Sequence, residues 1–304
     1  MFLVSKPPLV SALCKAGVVG TFPHVNARPS SQLDQWLTEI ASDLATHLAV
    51  HPASAVAPHG VNLVVHRTNT RLEPDLDIVV SHKVPFVITC LGHPGRVVDA
   101  VHAYGGTVFC DVTSAAHARK SVDAGVDGLI CVGAGAGGHA SHQSGFSLVR
   151  EIREFWDGCL VLGGGINDGF QIRAAETLGA DMVYMGTRFL ATRESAAQDD
   201  YKQMVLDSGI ADLVNSDRLS GVPANYLKPS LARWGIDVDT LPVKSPDMSS
   251  LNDSGGRLWK DLWTAGHGIT TIHDIPAVDT LVQRIAAQYR DACLLPPSPA
   301  VRAG

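Results

Sequence analysis

Between residue 7 and about residue 208 the chain alternates two hydrophobic patterns: stripes at helical spacing and short unbroken apolar runs. PPLVSALCKAG opens as a helix, with proline in its first turn, where no amide donor is needed, and glycine at its close. The strand AGVVGTF follows. QLDQWLTEIASDLATHL then sets Leu33, Trp36, Leu37, Ile40, Leu44 and Leu48 on one helical stripe. Further strands are predicted at 60–66, 86–92, 107–112, 128–133, 159–165 and 182–187. Helices near 73–83, 94–104, 114–124, 146–156 and 169–179 separate them. The strand runs are apolar throughout, as parallel strands buried on both faces must be. Their alternation with helices means βαβ units.

A TIM (β/α)8-type barrel is favoured over a doubly wound sheet because the glycine-rich and histidine-bearing segments all follow strand C-termini, where barrel active sites lie. An eight-stranded barrel leaves one strand to find. Either MFLVS supplies a stub or the first strand lies upstream of Met1, and the second is the expectation. After residue 208 the pattern turns irregular: 209–255 mixes short helices with turn-rich text and no clear strand. A final amphipathic helix, DTLVQRIAAQYRDACL, carries Leu281, Ile285 and Tyr289 on one face. Residues 1–208 therefore read as the barrel, and 209–304 as a helical and loop extension packed on its mouth, with too little apolar sequence for a second core.

Composition narrows the function classes. At 304 residues, 45% hydrophobic and 18% charged, the chain suits a globular enzyme. Its net charge of −6 and lack of a Lys/Arg cluster argue against nucleic acid. No apolar run reaches the length of a membrane span, and the start does not read as a signal peptide. The six cysteines show no metal-ligand spacing; Cys90, Cys110, Cys131 and Cys159 sit in apolar runs and read as buried reduced thiols. A cytoplasmic protein is expected, with homo-oligomerisation left open.

The segment GAGAGGHASHQSG (133–145) follows a strand directly. Gly133, Gly135 and Gly138 match G-x-G-x-x-G, but so late in the series, and running into histidines, they do not form a dinucleotide fingerprint. Gly137 and Gly138 instead allow close backbone approach to a flat or anionic ligand. His139 then stands at a strand's C-terminal end as a catalytic candidate, with a pKa suited to proton transfer near neutrality. His142 is a weaker one. LGGGINDG and GADMVYMGTRF place Gly164, Gly165, Gly186 and Thr187 after two consecutive strands, where barrels hold phosphate. Asn62 in GVNLVVH has an amide able to donate and accept. Asp111 in VFCDVTS is a carboxylate at a strand end, equally suited to orienting a ligand or holding a loop.

These blocks, with HARKSVDAGVDGLICV, GADMVYMGTRFLATRES and GVPANYLKPS, resemble the nitronate monooxygenases over nearly the whole chain. The resemblance implies a barrel holding FMN non-covalently, with His139 as base for nitroalkanes and Gly164, Gly165, Gly186 and Thr187 on the FMN phosphate. It implies Asn62, Met1 and Asp111 around the flavin, with Gly137 and Gly138 beside them. It also implies oxidation of nitronates or nitroalkanes by O2 to carbonyl compounds and nitrite, without a metal. The sequence departs from the family at Asp111, where best-known members carry lysine, at Met1, whose preceding strand is expected upstream, and at Ser141-His142, where glycine is usual. An FMN-dependent NAD(P)H:quinone reductase and a ligand-binding barrel without turnover remain as alternatives.

Overall fold

Seven parallel strands, each required to bury both faces, organise the computed structural model, which describes residues 1–246 and 260–296. The chain enters through α1 (Pro7–Lys15), β1 (Gly20–Pro23), α2 (Ser30–Val50), β2 (His59–Val64), α3 (Leu72–Ser81) and β3 (Phe86–Cys90). It continues through α4 (Gly95–His102), β4 (Thr107–Val112), α5 (Ala115–Asp123), β5 (Gly128–Val132), the two-residue β6 (Gly138–His139) and α6 (Gly145–Arg153). The series closes with β7 (Cys159–Gly163), α7 (Gly169–Leu178) and β8 (Met182–Tyr184). The sheet order is β1-β2-β3-β4-β5-β7-β8, every pair parallel. This is a TIM-like α/β architecture.

Side chains of period two divide the strands between two cores. The outward set, including Val61, Leu63, Val87, Val108, Leu129 and Leu160, packs with the helix residues Leu37, Ile40, Val101 and Ile152. The inward set is a plug of Ile88, Phe109, Ile130 and Val161, with Phe86 and Tyr184 against it. Gly128 makes room for this plug: a Cβ there would lie 2.5 Å from the Phe109 ring. Two residues above Ile88, Phe109 and Val161 stand Cys90, Asp111 and Gly163, so polar and small groups begin where the apolar plug ends.

The helices obey their end signals. Ser114, Ser144 and Asp168 cap α5, α6 and α7 by accepting from backbone amides. Gly179 ends α7 at φ +108. In α2 the predicted stripe is buried from Leu33 to Leu44, but Leu48 is exposed, because the helix has run past the sheet by its last turn. The first strand begins at Gly20 rather than in AGVV: Gly17 turns the chain at φ +81, and Val19 faces solvent.

MFLVS supplies no strand. Residues 2–4 form a turn in which Ser5 N donates to Met1 O (3.1 Å), and Asn26 ties it down by donating to Ser5 O (2.8 Å). The sheet ends at β8 and β1, and a side-chain hydrogen bond between Thr21 and Tyr184 (2.8 Å) spans the two edges.

Beyond the barrel series come α8 (Thr187–Leu190), α9 (Asp199–Asp207), β9 (Leu213–Ser216), β10 (Ala224–Leu227), α10 (Lys228–Ala232) and α11 (Val278–Cys293). Two strands thus stand where none was expected. They are four residues each, too short for a periodicity to register, and β10 pairs antiparallel with both β9 and β6. The tail of the predicted turn-rich stretch falls partly outside the described residues. In α11, Leu281 and Ile285 are buried, and a Cβ on Gly169 would collide with this helix's backbone, so α11 sits directly on α7. Among the described residues no helix is long and apolar enough to cross a membrane.

Below the mouth a buried polar cluster joins the loop after β1 to α3. His24 Nδ1 lies 2.5 Å from Asp75 Oδ2, Arg71 Nη2 lies 2.8 Å from the same oxygen, and Asn69 Nδ2 lies 3.2 Å from His24 Nε2. His24 and Asp75 are both fully buried. Removing one member strands the others without solvent. Asp75→Ala is therefore expected to cost about 3–5 kcal/mol of unfolding free energy, read from urea denaturation; a loss under about 1 kcal/mol would show that the cluster carries little stability.

Candidate active site

A cavity of about 1750 Å³ runs from the C-terminal ends of the strands past Ile88, Phe109, Ile130 and Val161 to Phe86, Thr107 and Met182 at their N-terminal ends. It is larger than the roughly 300–1,000 Å³ usual for a single small ligand. Three strands supply its polar floor. Asn62 Nδ2 of β2 donates to Asp111 Oδ2 of β4 (3.2 Å), and the Cys90 thiol of β3 donates to Asn62 Oδ1 (3.1 Å). Burial pushes Asp111 up to about 7 and holds the Cys90 thiol well above its ordinary value, so the thiol stays protonated. Cys110 and Cys131 are buried as expected, whereas Cys90, which lines the cavity, and Cys159 are half-buried.

One wall is built by four glycine-bearing segments in mutual contact. Gly164 and Gly165 follow β7 at φ +113 and +75, backbone that favours glycine. A Cβ on Gly164 would lie 2.7 Å from Ala136 N, and one on Gly137 would lie 2.8 Å from Gly266 N. Nothing lies within 4 Å of a Cβ on Gly165, which faces open space. Gly266 N donates to Thr187 Oγ1 (2.9 Å), which leaves the Thr187 hydroxyl hydrogen free to serve another acceptor. Met1 packs over Gly186, 3.9 Å from a Cβ built there.

His139 lines the same cavity and is carried by β6, which continues the glycine segment of this wall. Its Nε2 lies 3.4 Å from Ser220 Oγ, and Ser220 in turn donates to Val222 O (2.9 Å). The hydroxyl's one proton is thereby committed, so it meets His139 as an acceptor, which favours the Nε2–H tautomer. Burial pushes His139 down to about 4. The imidazole is therefore neutral at pH 7, a proton acceptor by default, rather than poised near neutrality as expected from its type.

Met1, Asn62, Asp111, Gly137, His139, Gly164, Gly165, Gly186 and Thr187 all line this one cavity. Gly138 does not: at φ +75 it is buried in β6, paired with Asn225. His142 lines the cavity with an exposed side chain, while Ser141 is buried and donates to Thr113 O (2.8 Å), tying the segment to the loop after β4. Among the described residues no His, Cys, Asp and Glu cluster suits a metal.

The sequence reading missed Ser220, Asn225 and Gly266, all in the irregular region. Asn225 Nδ2 donates to Ala134 O (2.8 Å) and Ala136 O (2.7 Å), while its Oδ1 accepts from Asn215 (3.0 Å). This one amide fixes the glycine loop ahead of His139. The available signal was an asparagine inside GVPANYL, a weak one.

The sequence profile of a family described as nitronate monooxygenase matches residues 1–288. A nitronate monooxygenase of Neurospora crassa is 29% identical over 237 residues, 68% of this chain and 63% of its own. A (3aS,4S,5R,7aS)-5-hydroxy-7a-methyl-1-oxo-octahydro-1H-indene-4-carboxyl-CoA dehydrogenase of Rhodococcus jostii is 31% identical over 229 residues, 75% of this chain and 61% of its own. The chain thus spans less than two thirds of the length of these relatives. Among solved structures, FabK from Thermotoga maritima superposes with a TM-score of 0.81 at 24% identity, covering 96% of this chain and 91% of that one. A nitroalkane oxidase from Streptomyces ansochromogenes gives 0.78 at 23%, covering 95% and 93%. These two likenesses bear on the fold.

Asn225→Ala leaves two loop carbonyls without their donor. A loss of about 1–3 kcal/mol in unfolding free energy is expected, together with faster amide exchange in residues 134–139. Unchanged exchange in that loop would remove Asn225 as its anchor.

Proposed function

Since the chain belongs to the nitronate monooxygenase family, we propose that it binds FMN in the barrel mouth and oxidises alkyl nitronates or nitroalkanes with O2 to carbonyl compounds and nitrite. The observation that carries this reading is that a neutral histidine and a left-handed glycine pair line the same cavity. The residues fit the cofactor. Gly164 and Gly165 bring side-chain-free backbone to the cavity, and Thr187 has a hydroxyl hydrogen to give, groups suited to a phosphate. Gly186 beneath Met1 leaves space where a side chain would intrude. Asn62 and Asp111 offer polar groups to the edge of a ring system, and the apolar plug beneath them suits its flat face. FMN, when bound, supplies the redox chemistry.

The chain's own residues handle the proton. His139 accepts it from the carbon next to the nitro group of a neutral nitroalkane, with Nδ1 as the acceptor if Ser220 holds Nε2–H. The resulting anion then lies beside an imidazolium, which stabilises it. A substrate already present as nitronate needs no such base, and His139 then serves only to position it.

Three outcomes follow for purified enzyme. FMN gives a flavin absorbance spectrum on binding, and an oxygen electrode records consumption with alkyl nitronate. His139→Asn keeps FMN affinity within about twofold but lowers kcat/KM for a neutral nitroalkane by roughly 10²–10⁴; unaltered turnover removes His139 from the base role. In the wild type, with FMN saturating, that kcat/KM declines as pH falls through about 4, where the neutral base is lost. Anaerobic bleaching by NADH but not by nitronate would instead identify a quinone-reductase-type enzyme.

A further inference from the structure

Asp111 is used only in part by the proposed function, and its surroundings are unusual for a carboxylate. One oxygen accepts a single hydrogen bond, from Asn62 (3.2 Å). The other is enclosed and, among the described residues, has no hydrogen-bond partner. No lysine, arginine or histidine among them forms an ion pair with it. An ionised carboxyl so placed gives up hydration on both oxygens and recovers one bond, whereas the neutral acid loses far less.

We infer, on the basis of the FMN reading, that Asp111 meets the flavin ring as an uncharged acid and that loss of its proton weakens ring binding. The polar edge of an isoalloxazine carries two carbonyl oxygens and two imine-type nitrogens, all acceptors, against one N–H donor. A carboxylic acid brings a donor to that edge; a carboxylate brings only acceptors and a charge. Asn62 alone can offer no more than the amide hydrogen it does not give to Asp111. Protonation therefore decides whether this floor complements the ring or opposes it.

The other groups facing Asp111 do not compete for this role. From β3 the Cys90 thiol, and from β8 the Tyr184 hydroxyl, are pushed up by burial and reinforced by Asp111 itself, so both stay neutral. Cys110, its neighbour on β4, is likewise pushed up by burial. His139 on β6 is pushed down to about 4 and is neutral as well. The Met1 ammonium, from the N-terminal turn, is lowered by burial and drawn back up by Asp111. Asp111, at about 7, is the carboxyl of this group that titrates near neutrality.

The test uses full-length protein freed of flavin and two probes, riboflavin and FMN, with affinity read by flavin fluorescence between pH 5 and 9. Riboflavin has no phosphate, so the phosphate's own titration does not enter. Wild-type Kd for riboflavin is expected to be level below about pH 6 and to rise roughly tenfold per pH unit above the Asp111 inflection. Asp111→Asn, which keeps an N–H donor without a charge, is expected to bind as the wild type does at low pH and to show no inflection. Asn62→Ala removes the bond that favours the ionised form, so the inflection moves to higher pH whatever the loss of overall affinity. A pH-independent wild-type Kd overturns the inference without any variant. An inflection that persists in Asp111→Asn assigns the titration to Met1 or His139 and overturns it too. Binding of neither flavin at any pH overturns the FMN reading itself, and the inference with it.

Discussion

Each strand of the parallel sheet has to bury two faces, and everything at the site descends from how the chain meets that demand. Outward residues take the helices; inward residues must fill a narrow interior by themselves. Ile88, Phe109, Ile130 and Val161 do so in a single plug, aided by the missing side chain at Gly128. The plug consumes the inward positions at mid-strand. Two residues further on in β3, β4 and β7 stand Cys90, Asp111 and Gly163, while Asn62 of β2 lies level with Ile88 and Val132 of β5 stays apolar. Polar and apolar inward positions therefore meet in register: Asn62 pairs with Ile88 and Asp111 with Ile130. The same plug supplies the low dielectric that lies under Asp111.

The mouth is not completed by the barrel series. β6 has only two residues and gains its partner from β10, some eighty positions later in the chain. Asn225 of that strand holds the glycine loop by its carbonyls, Ser220 meets His139, and Gly266 closes on Thr187. The tail is itself fastened to the barrel: Arg188 donates to Asp274 O (2.7 Å) and pairs with its carboxylate (3.1 Å), and α11 lies on α7 at Gly169. The region after residue 208 is thus part of the site's scaffold and not a cover laid over a finished one. A disturbance there reaches His139 through hydrogen bonds, with no change inside the barrel.

Legibility in the sequence followed the strength of the physical constraint. Two-sided burial leaves long apolar runs, so all seven strands of the sheet were readable, and left-handed backbone needs glycine, so Gly164 and Gly165 stood out. Helix ends were readable where a cap or a turn residue marked them, whereas Leu48, on the predicted stripe and inside α2, is exposed. Asn225 and Ser220 were not readable, since one polar side chain in a four-residue strand or a turn leaves no pattern. Gly138 differs from its neighbour Gly137: it takes a left-handed φ at the entry to β6 and does not line the cavity. The pKa of His139 was beyond reach as well, because burial is set by residues distant in the chain.

Burial at this mouth moves an acid and a base in opposite directions, and both moves remove charge. Asp111 rises to about 7 and His139 falls to about 4, so between about pH 5 and 6 both are largely uncharged, and above that Asp111 gains its charge. While both are uncharged, the site does not repel an anion, and it has no fixed cation to trap one. When an anion arrives, the same low dielectric that suppressed the imidazolium strengthens its attraction to one. The proton affinity of His139 therefore increases as negative charge develops beside it and relaxes when that charge leaves. A base built this way is weak while the site is empty and becomes stronger as the substrate becomes an anion, which is the sequence of events that proton abstraction requires.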